Sequence, residues 1–308
     1  MDINKDYTNQ TIQLQPDYEG EVIATLIASK ANQGNRKSVL YLHGYVDYFF
    51  QAHVGKKFIE NDFDFYALDL RKYGRSLMDH QHPNYCKNIE EYFEEITIAI
   101  RQIHSDSNGE VYVLGHSTGG LIAANYMNFG EEKDLIKALI LNSPFLDFNQ
   151  SDLTQSLVYL ASLPVAGLSK YAKVNGALSP AYVKSIHKDF HGEWDFDLKL
   201  KPVKGFPTYY KWILAMRSAQ RKLSNSNIRV PILVMHSHTS EKMSKFSEKA
   251  MKQDIVLNVM DIKREGMKLG QEVTLSKIDN GMHDLFLSTE KARKNAFFKM
   301  FDWLKNLK

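Results

Sequence analysis

Val111-Tyr112-Val113-Leu114-Gly115-His116-Ser117-Thr118-Gly119-Gly120-Leu121-Ile122-Ala123-Ala124-Asn125-Tyr126-Met127 decides how this chain is read. A short apolar run of strand character enters a glycine-rich turn, and helix-forming residues leave it. The centre, Gly115-His116-Ser117-Thr118-Gly119, has the pattern G-x-S-x-G. Five residues alone are a weak signal, but strand–turn–helix is the setting in which that pattern carries chemistry. A serine on so sharp a turn sits in strained φ/ψ, so its neighbours must lack bulk. The turn lifts Oγ above the sheet and puts a helix N-terminus, opened by the Thr118 N–H, behind a developing oxyanion. Neither the G-x-G-x-x-G spacing nor the lysine of a phosphate loop is present, so a nucleotide site is the poorer reading.

Outward from this point, apolar β-branched runs alternate with helical patterns, as in a mostly parallel sheet with crossover helices. The runs at Glu21–Ala28, Ser38–Leu42, Phe63–Asp69, Val111–Leu114, Ala138–Leu141, Pro231–His236 and Glu272–Ile278 read as strands. Ile89–His104 and Thr289–Leu307 place apolar residues at three- and four-residue spacing and read as amphipathic helices on the sheet. The alternation breaks between Pro144 and Asn227, where five of the eight prolines fall. Helical patches at Leu153–Tyr171 and Tyr209–Leu223 flank an aromatic-rich stretch around Trp194. Three segments follow: a first core part over 1–143, a helical cap or lid inserted over 144–227, and a second core part over 228–308.

Composition agrees with a globular protein: 44% hydrophobic and 24% charged residues over 308, with a formal net charge of +3. The charges are interspersed, so no basic stripe argues for nucleic acid. Cys86 is the single cysteine, which excludes an internal disulfide and suits a reducing compartment. Met1-Asp2-Ile3-Asn4-Lys5 begins no secretory signal, and no window reaches the roughly 18 apolar residues of a membrane span. A cytoplasmic protein without stable membrane insertion is expected.

A serine hydroxyl needs a base, and the usual base is a histidine held by a carboxylate. Of 11 histidines, His283 is placed best: it ends the turn Asp279-Asn280-Gly281-Met282-His283 after the last strand. The acid belongs after the strand ending at His236, but Ser240 stands where an aspartate would fall. Asp254, followed by Ile255-Val256-Leu257, is the expected acid, with 237–253 as an insertion. Glu241 and Asp261 are its rivals, and Asp284 adjoins the base too closely to reach its Nδ1. His80-x-His82 and His236-x-His238 lack further ligands at metal spacing, so neither a metal nor a cofactor is expected.

Four stretches in order carry a resemblance: Leu42-His43-Gly44-Tyr45-Val46-Asp47-Tyr48; Asp69-Leu70-Arg71-Lys72-Tyr73-Gly74-Arg75-Ser76; the Ser117 turn; and Gly281-Met282-His283-Asp284. With these the chain resembles the lysophospholipase and monoacylglycerol-lipase-like branch of the α/β hydrolases, also called serine aminopeptidase S33-like. The resemblance implies an α/β-hydrolase fold, a mostly parallel sheet flanked by helices with an inserted cap. It also implies a Ser-Asp-His triad, ester substrates with acyl chains, and a two-donor oxyanion hole of the Tyr45 and Thr118 backbone N–H groups. The acid-loop insertion and a cap unlike a membrane-docking helix depart from the pattern. Asp69, Arg71 and Arg75 read as one loop-fixing ion network.

The function expected is hydrolysis of acyl-glycerol, lysophospholipid or other small acyl esters through an acyl-enzyme. Amide hydrolysis or acyl transfer by the same triad is the rival among enzymes, and a catalytically silent ligand-binding fold the rival outside them. The pocket should be moderately apolar. Tyr45, Phe145, Trp194, Phe206 and Trp212 are its candidate walls, with His43 and His116 near the nucleophile. The lesser reading of His43 is a satisfied structural histidine at a glycine turn after the core strand; beside Ser117 the functional reading is the one expected. Oligomeric state is not legible.

Overall fold

The computed structural model describes residues 3–31, 37–107, 109–148, 162–174 and 179–307. Ten strands are found there: β1 (Thr8–Gln13), β2 (Ile23–Ser29), β3 (Lys37–Leu42), β4 (Asp64–Asp69), β5 (Glu110–His116), β6 (Ile136–Asn142), β7 (Lys173–Val174), β8 (Thr208–Tyr209), β9 (Ile232–Ser237) and β10 (Val273–Ile278). Eight form one sheet in the order β1-β2-β4-β3-β5-β6-β9-β10. From β4 to β10 every neighbour is parallel, and β2 and β1 add antiparallel strands at one edge. The fold is that of the α/β hydrolases.

Central strands of a parallel sheet are covered on both faces, so their residues are apolar throughout and still sort by parity. Leu40 and Leu42 enter the core on one face, with the helices Phe93–Ser107 and Thr118–Phe129. Val39 and Tyr41 enter the core on the other, with the helices Ala52–Ile59 and Glu290–Lys305. Register sets the site: Leu42 pairs with Gly115, and Gly115 with Leu141. The loops after β3, β5 and β6 therefore leave the sheet side by side.

After β6 the chain departs and re-enters at β9. Of the expected helical patch Leu153–Tyr171, residues 162–168 are helical, and most of the remainder lies outside the described residues. The patch at Tyr209–Leu223 forms the helix Tyr210–Lys222. It sits in the main core, its Trp212, Ala215, Met216 and Ala219 clustering with Leu121 and Ala124. β7 and β8 pair within this same insertion. The strand β1 was not expected, because its sequence Thr-Asn-Gln-Thr-Ile-Gln is polar and only Ile12 is buried. Among the described residues no helix is long and apolar enough to cross a membrane.

Candidate active site

Ser117 follows β5 directly and holds φ 52° and ψ −118°. An L-residue tolerates that conformation only where surroundings over-determine it. They do: its N–H donates to Asn142 O at 3.0 Å, and its carbonyl accepts from Phe145 N at 2.9 Å. The glycines supply the clearance. A Cβ on Gly119 would stand 2.3 Å from Leu42 O and 2.4 Å from His43 O, and one on Gly115 2.7 Å from Gly119 O.

The turn after β10 brings His283 over this serine. Its Nε2 lies 3.1 Å from Ser117 Oγ, and its Nδ1 lies 2.9 Å from Asp254 Oδ2. A carboxylate only accepts, so Nδ1 carries the proton and Nε2 is left to accept from the serine hydroxyl. Asp254 is fully buried, and its Oδ1 accepts from the N–H groups of Val256 and Leu257, both at 2.8 Å. The rivals stand elsewhere. Glu241 is exposed and bonded by Gln253, and Asp261 pairs with Arg264 on the helix Val259–Gly266. The carboxylate of Asp284 accepts instead from Asn142 Nδ2 at 2.8 Å and Phe286 N at 3.0 Å.

A cavity of about 690 Å³ opens over Ser117, lined by Tyr45, Val46, His116, Phe145, Trp212, Leu257 and His283 among others. Thr118 directly follows the serine and Tyr45 lines the same cavity, and among the described residues neither backbone N–H has a protein acceptor. His116 is buried, its Nδ1 3.1 Å from Asn142 O, and burial pushes its pKa below the ordinary histidine value. Of the expected wall residues, Tyr45, Phe145 and Trp212 line the cavity, and Phe148, Tyr182 and Ile213 join them.

Three expectations for the pocket fail. Trp194 is spent on packing: its ring stacks on His53 with centroids 4.1 Å apart, and Nε1 donates to Leu287 O at 2.8 Å. Phe206 is half-buried outside the wall, which its neighbours Gly205 and Thr208 build. His43 lies beneath the cavity as a structural histidine, accepting from Leu70 N at 3.1 Å through Nε2 while Nδ1 donates to Gly44 O at 2.8 Å. The single ion network expected around Asp69 is two. Asp69 takes Arg75 and the Phe49 N–H, whereas Arg71 forks onto Glu95 and reaches Glu94.

Sequence reasoning missed a buried ion pair in the cavity wall: Lys201 Nζ lies 2.8 Å from Asp47 Oδ1, with side-chain exposures of 4% and 2%. Burial, the largest single influence, would raise the Asp47 carboxyl, but Lys201 together with His116 and His43 brings the group below the ordinary carboxylate range. The partners are 154 positions apart, and nothing local marks either. Each histidine of the two His-x-His pairs finds its own partner: His80 takes Glu21 O, His82 takes Glu19, His236 takes Ser237 O and His238 takes Asp279.

An α/β-hydrolase sheet with Ser117, His283 and Asp254 in one hydrogen-bonded row below a cavity defines a serine-hydrolase-like class. Residues 33–290 match the family model described as serine aminopeptidase, S33, and the chain belongs to that family. A comparison with curated protein sequences finds no match. Among solved structures, the fold is similar to a soluble variant of monoglyceride lipase from Saccharomyces cerevisiae in complex with a substrate analog. That protein is 16% identical, with a TM-score of 0.70 over 97% of this chain and 96% of that one. A carboxyl esterase from Bacillus coagulans is 12% identical, with a TM-score of 0.68 over 97% and 99%. The monoacylglycerol lipase of Paleococcus ferrophilus is 16% identical, with a TM-score of 0.63 over 96% and 98%.

Proposed function

We propose that the protein hydrolyses carboxylic esters of apolar acyl groups, acylglycerols and related small esters, through an acyl-enzyme on Ser117. The observation that carries this is the row Ser117 Oγ–His283 Nε2, 3.1 Å, and His283 Nδ1–Asp254 Oδ2, 2.9 Å, on the floor of a mostly apolar cavity. His283 takes the hydroxyl proton as Oγ attacks the carbonyl, and returns it to the leaving alkoxide. A water then repeats the sequence on the acyl-enzyme. Asp254 keeps the imidazole in the tautomer that leaves Nε2 free and stabilises the imidazolium. The N–H groups of Tyr45 and Thr118 receive the negative oxygen as it forms.

Esters are preferred over the amino-terminal peptides that the family's name suggests. Holding a free α-ammonium calls for an unpaired carboxylate beside the nucleophile. Asp47 is the one carboxylate among the described residues of the wall, and Lys201 already occupies it. Neighbouring folds described as monoglyceride lipase and carboxyl esterase support the same choice.

A fluorophosphonate probe should label the protein and leave Ser117→Ala unlabelled; equal labelling of both would sink the proposal. p-Nitrophenyl esters of increasing chain length should be turned over, and aminoacyl p-nitroanilides should not. The reverse order would make the protein an aminopeptidase.

A further inference from the structure

The loop that follows β3 carries the Tyr45 N–H, and four consecutive residues of it are tied to one distant segment, residues 197–212. The Tyr45 hydroxyl donates to Thr208 Oγ1 at 2.9 Å, and its ring lies 4.1 Å from that of Trp212. The carbonyl of Val46 stands 3.4 Å from Lys201 Nζ, and the Asp47 carboxylate 2.8 Å from it. The Tyr48 hydroxyl accepts from Asp197 N at 2.7 Å. Val46 sits among these ties at φ 50°, a left-handed conformation that is an outlier for a β-branched residue. Such strain persists only where the surroundings impose it. Without these ties Val46 would relax to negative φ, and the path of the loop that carries the Tyr45 N–H would shift with it.

We infer that residues 197–212 act as a strut for the oxyanion hole, with Lys201 as the positioning residue that holds the Tyr45 N–H toward the nucleophile. This rests on the ester-hydrolase reading and adds to it a role for the insertion between β6 and β9. Lys201 is suited to the task because it is almost fully buried and grips both a carbonyl and a carboxylate of one short loop. An apolar side chain would satisfy neither and would strand the Asp47 charge. Lys201 touches the loop and not the reacting atoms, so its loss should appear in turnover rather than in ground-state binding, since an oxyanion donor acts as charge develops.

The test is steady-state hydrolysis of a short p-nitrophenyl ester by the full chain, alongside inhibition by a trifluoromethyl ketone, whose hemiketal oxyanion occupies the same hole. Lys201→Met should lower kcat by roughly 10²-fold with KM changed less than about threefold, and weaken the ketone in step with kcat/KM. Lys201→Arg should recover most of both. The double variant Lys201→Met/Asp47→Asn removes the stranded charge and so restores thermal stability, yet it should remain slow. Recovery of kcat together with stability in the double variant would overturn the strut and leave a merely structural ion pair. A Lys201→Met enzyme with unaltered kcat would overturn it as well. Wild type that shows neither ester turnover nor Ser117-dependent labelling overturns the ester-hydrolase reading itself, and the strut with it.

Discussion

The turn that carries Ser117 and the loop that carries Asp254 both deliver one side chain to His283, and they are made rigid by opposite means. The nucleophile turn is short and held by exclusion: backbone carbonyls of β3 and the following turn press on Gly119, and no alternative path fits. The acid loop is long and held by pins. Asp254 N donates to Thr239 O and Glu241 N donates back to Asp254 O, both at 3.0 Å, closing a short bridge at the loop's neck. Two further amides fix Oδ1. A steric lock tolerates no added atom, whereas a hydrogen-bonded one tolerates isosteres and loses strength one bond at a time.

The largest contrast is chemical. Asp254→Asn keeps an oxygen for the Val256 and Leu257 amides, so the loop should stay folded while ester turnover falls roughly 10⁴-fold through the wrong imidazole tautomer. Asp261→Asn should change turnover less than about twofold, and equal losses in the two variants would refute the assignment. The steric side comes next. Gly119→Ala should cost at least about 3 kcal/mol in denaturant unfolding, because its methyl meets backbone that has no room to move. A loss below about 1 kcal/mol would mean the turn is held by bonds as well.

Both regions also rest on buried histidines, which lets pH probe them. Burial lowers the pKa of His43 and His116 beside the nucleophile turn and of His236 beneath the acid loop. The unfolded chain takes up protons near the ordinary value of 6.5 while these folded sites do not. Stability is then complete above that pH and lost as pH falls from it toward the depressed values. Each histidine contributes a slope of up to about 1.4 kcal/mol per pH unit. Urea midpoints between pH 7 and 5 should show it, and His236→Asn should flatten it by one histidine's share. Smallest of all, Ser240→Ala removes a 3.1 Å bond to Val259 N and should cost about 1 kcal/mol, with turnover reduced only a few-fold.

The nucleophile turn is legible in the sequence because its signal lies within about a dozen residues, an apolar strand, small residues and a helix start, although the carbonyls of Leu42 and His43 and the bonds to Asn142 and Phe145 that hold it come from other strands and the loops after them. The central strands were legible for the same reason. The acid was readable only as a choice, since its place depends on a closure between Thr239 and Asp254 that no local pattern announces. Asp47 and Lys201 were invisible, because a lysine is ordinarily a surface residue until its partner is known to be buried beside it. Aromatic residues misled in the other direction. Trp194 looks like a pocket wall, yet stacking on His53 and bonding Leu287 satisfy both its face and its N–H. β1 escaped notice because an edge strand needs only one buried side chain.

The bridge between Ser240 and Asp254 has a consequence for how such a molecule diversifies. Backbone bonds from Glu241 to Asp254 and from Asp254 to Thr239 close the neck, and the residues between form a branch that packs back through Ala250 on Ile255. Lys242, Met243 and Ser244 lie on this branch and line the cavity. Changes confined to Lys242, Met243 and Ser244 should reshape that wall while leaving the bonds at the neck in place. On the proposed reading, the residues that would carry the proton and those that shape this wall lie in separable parts of one loop.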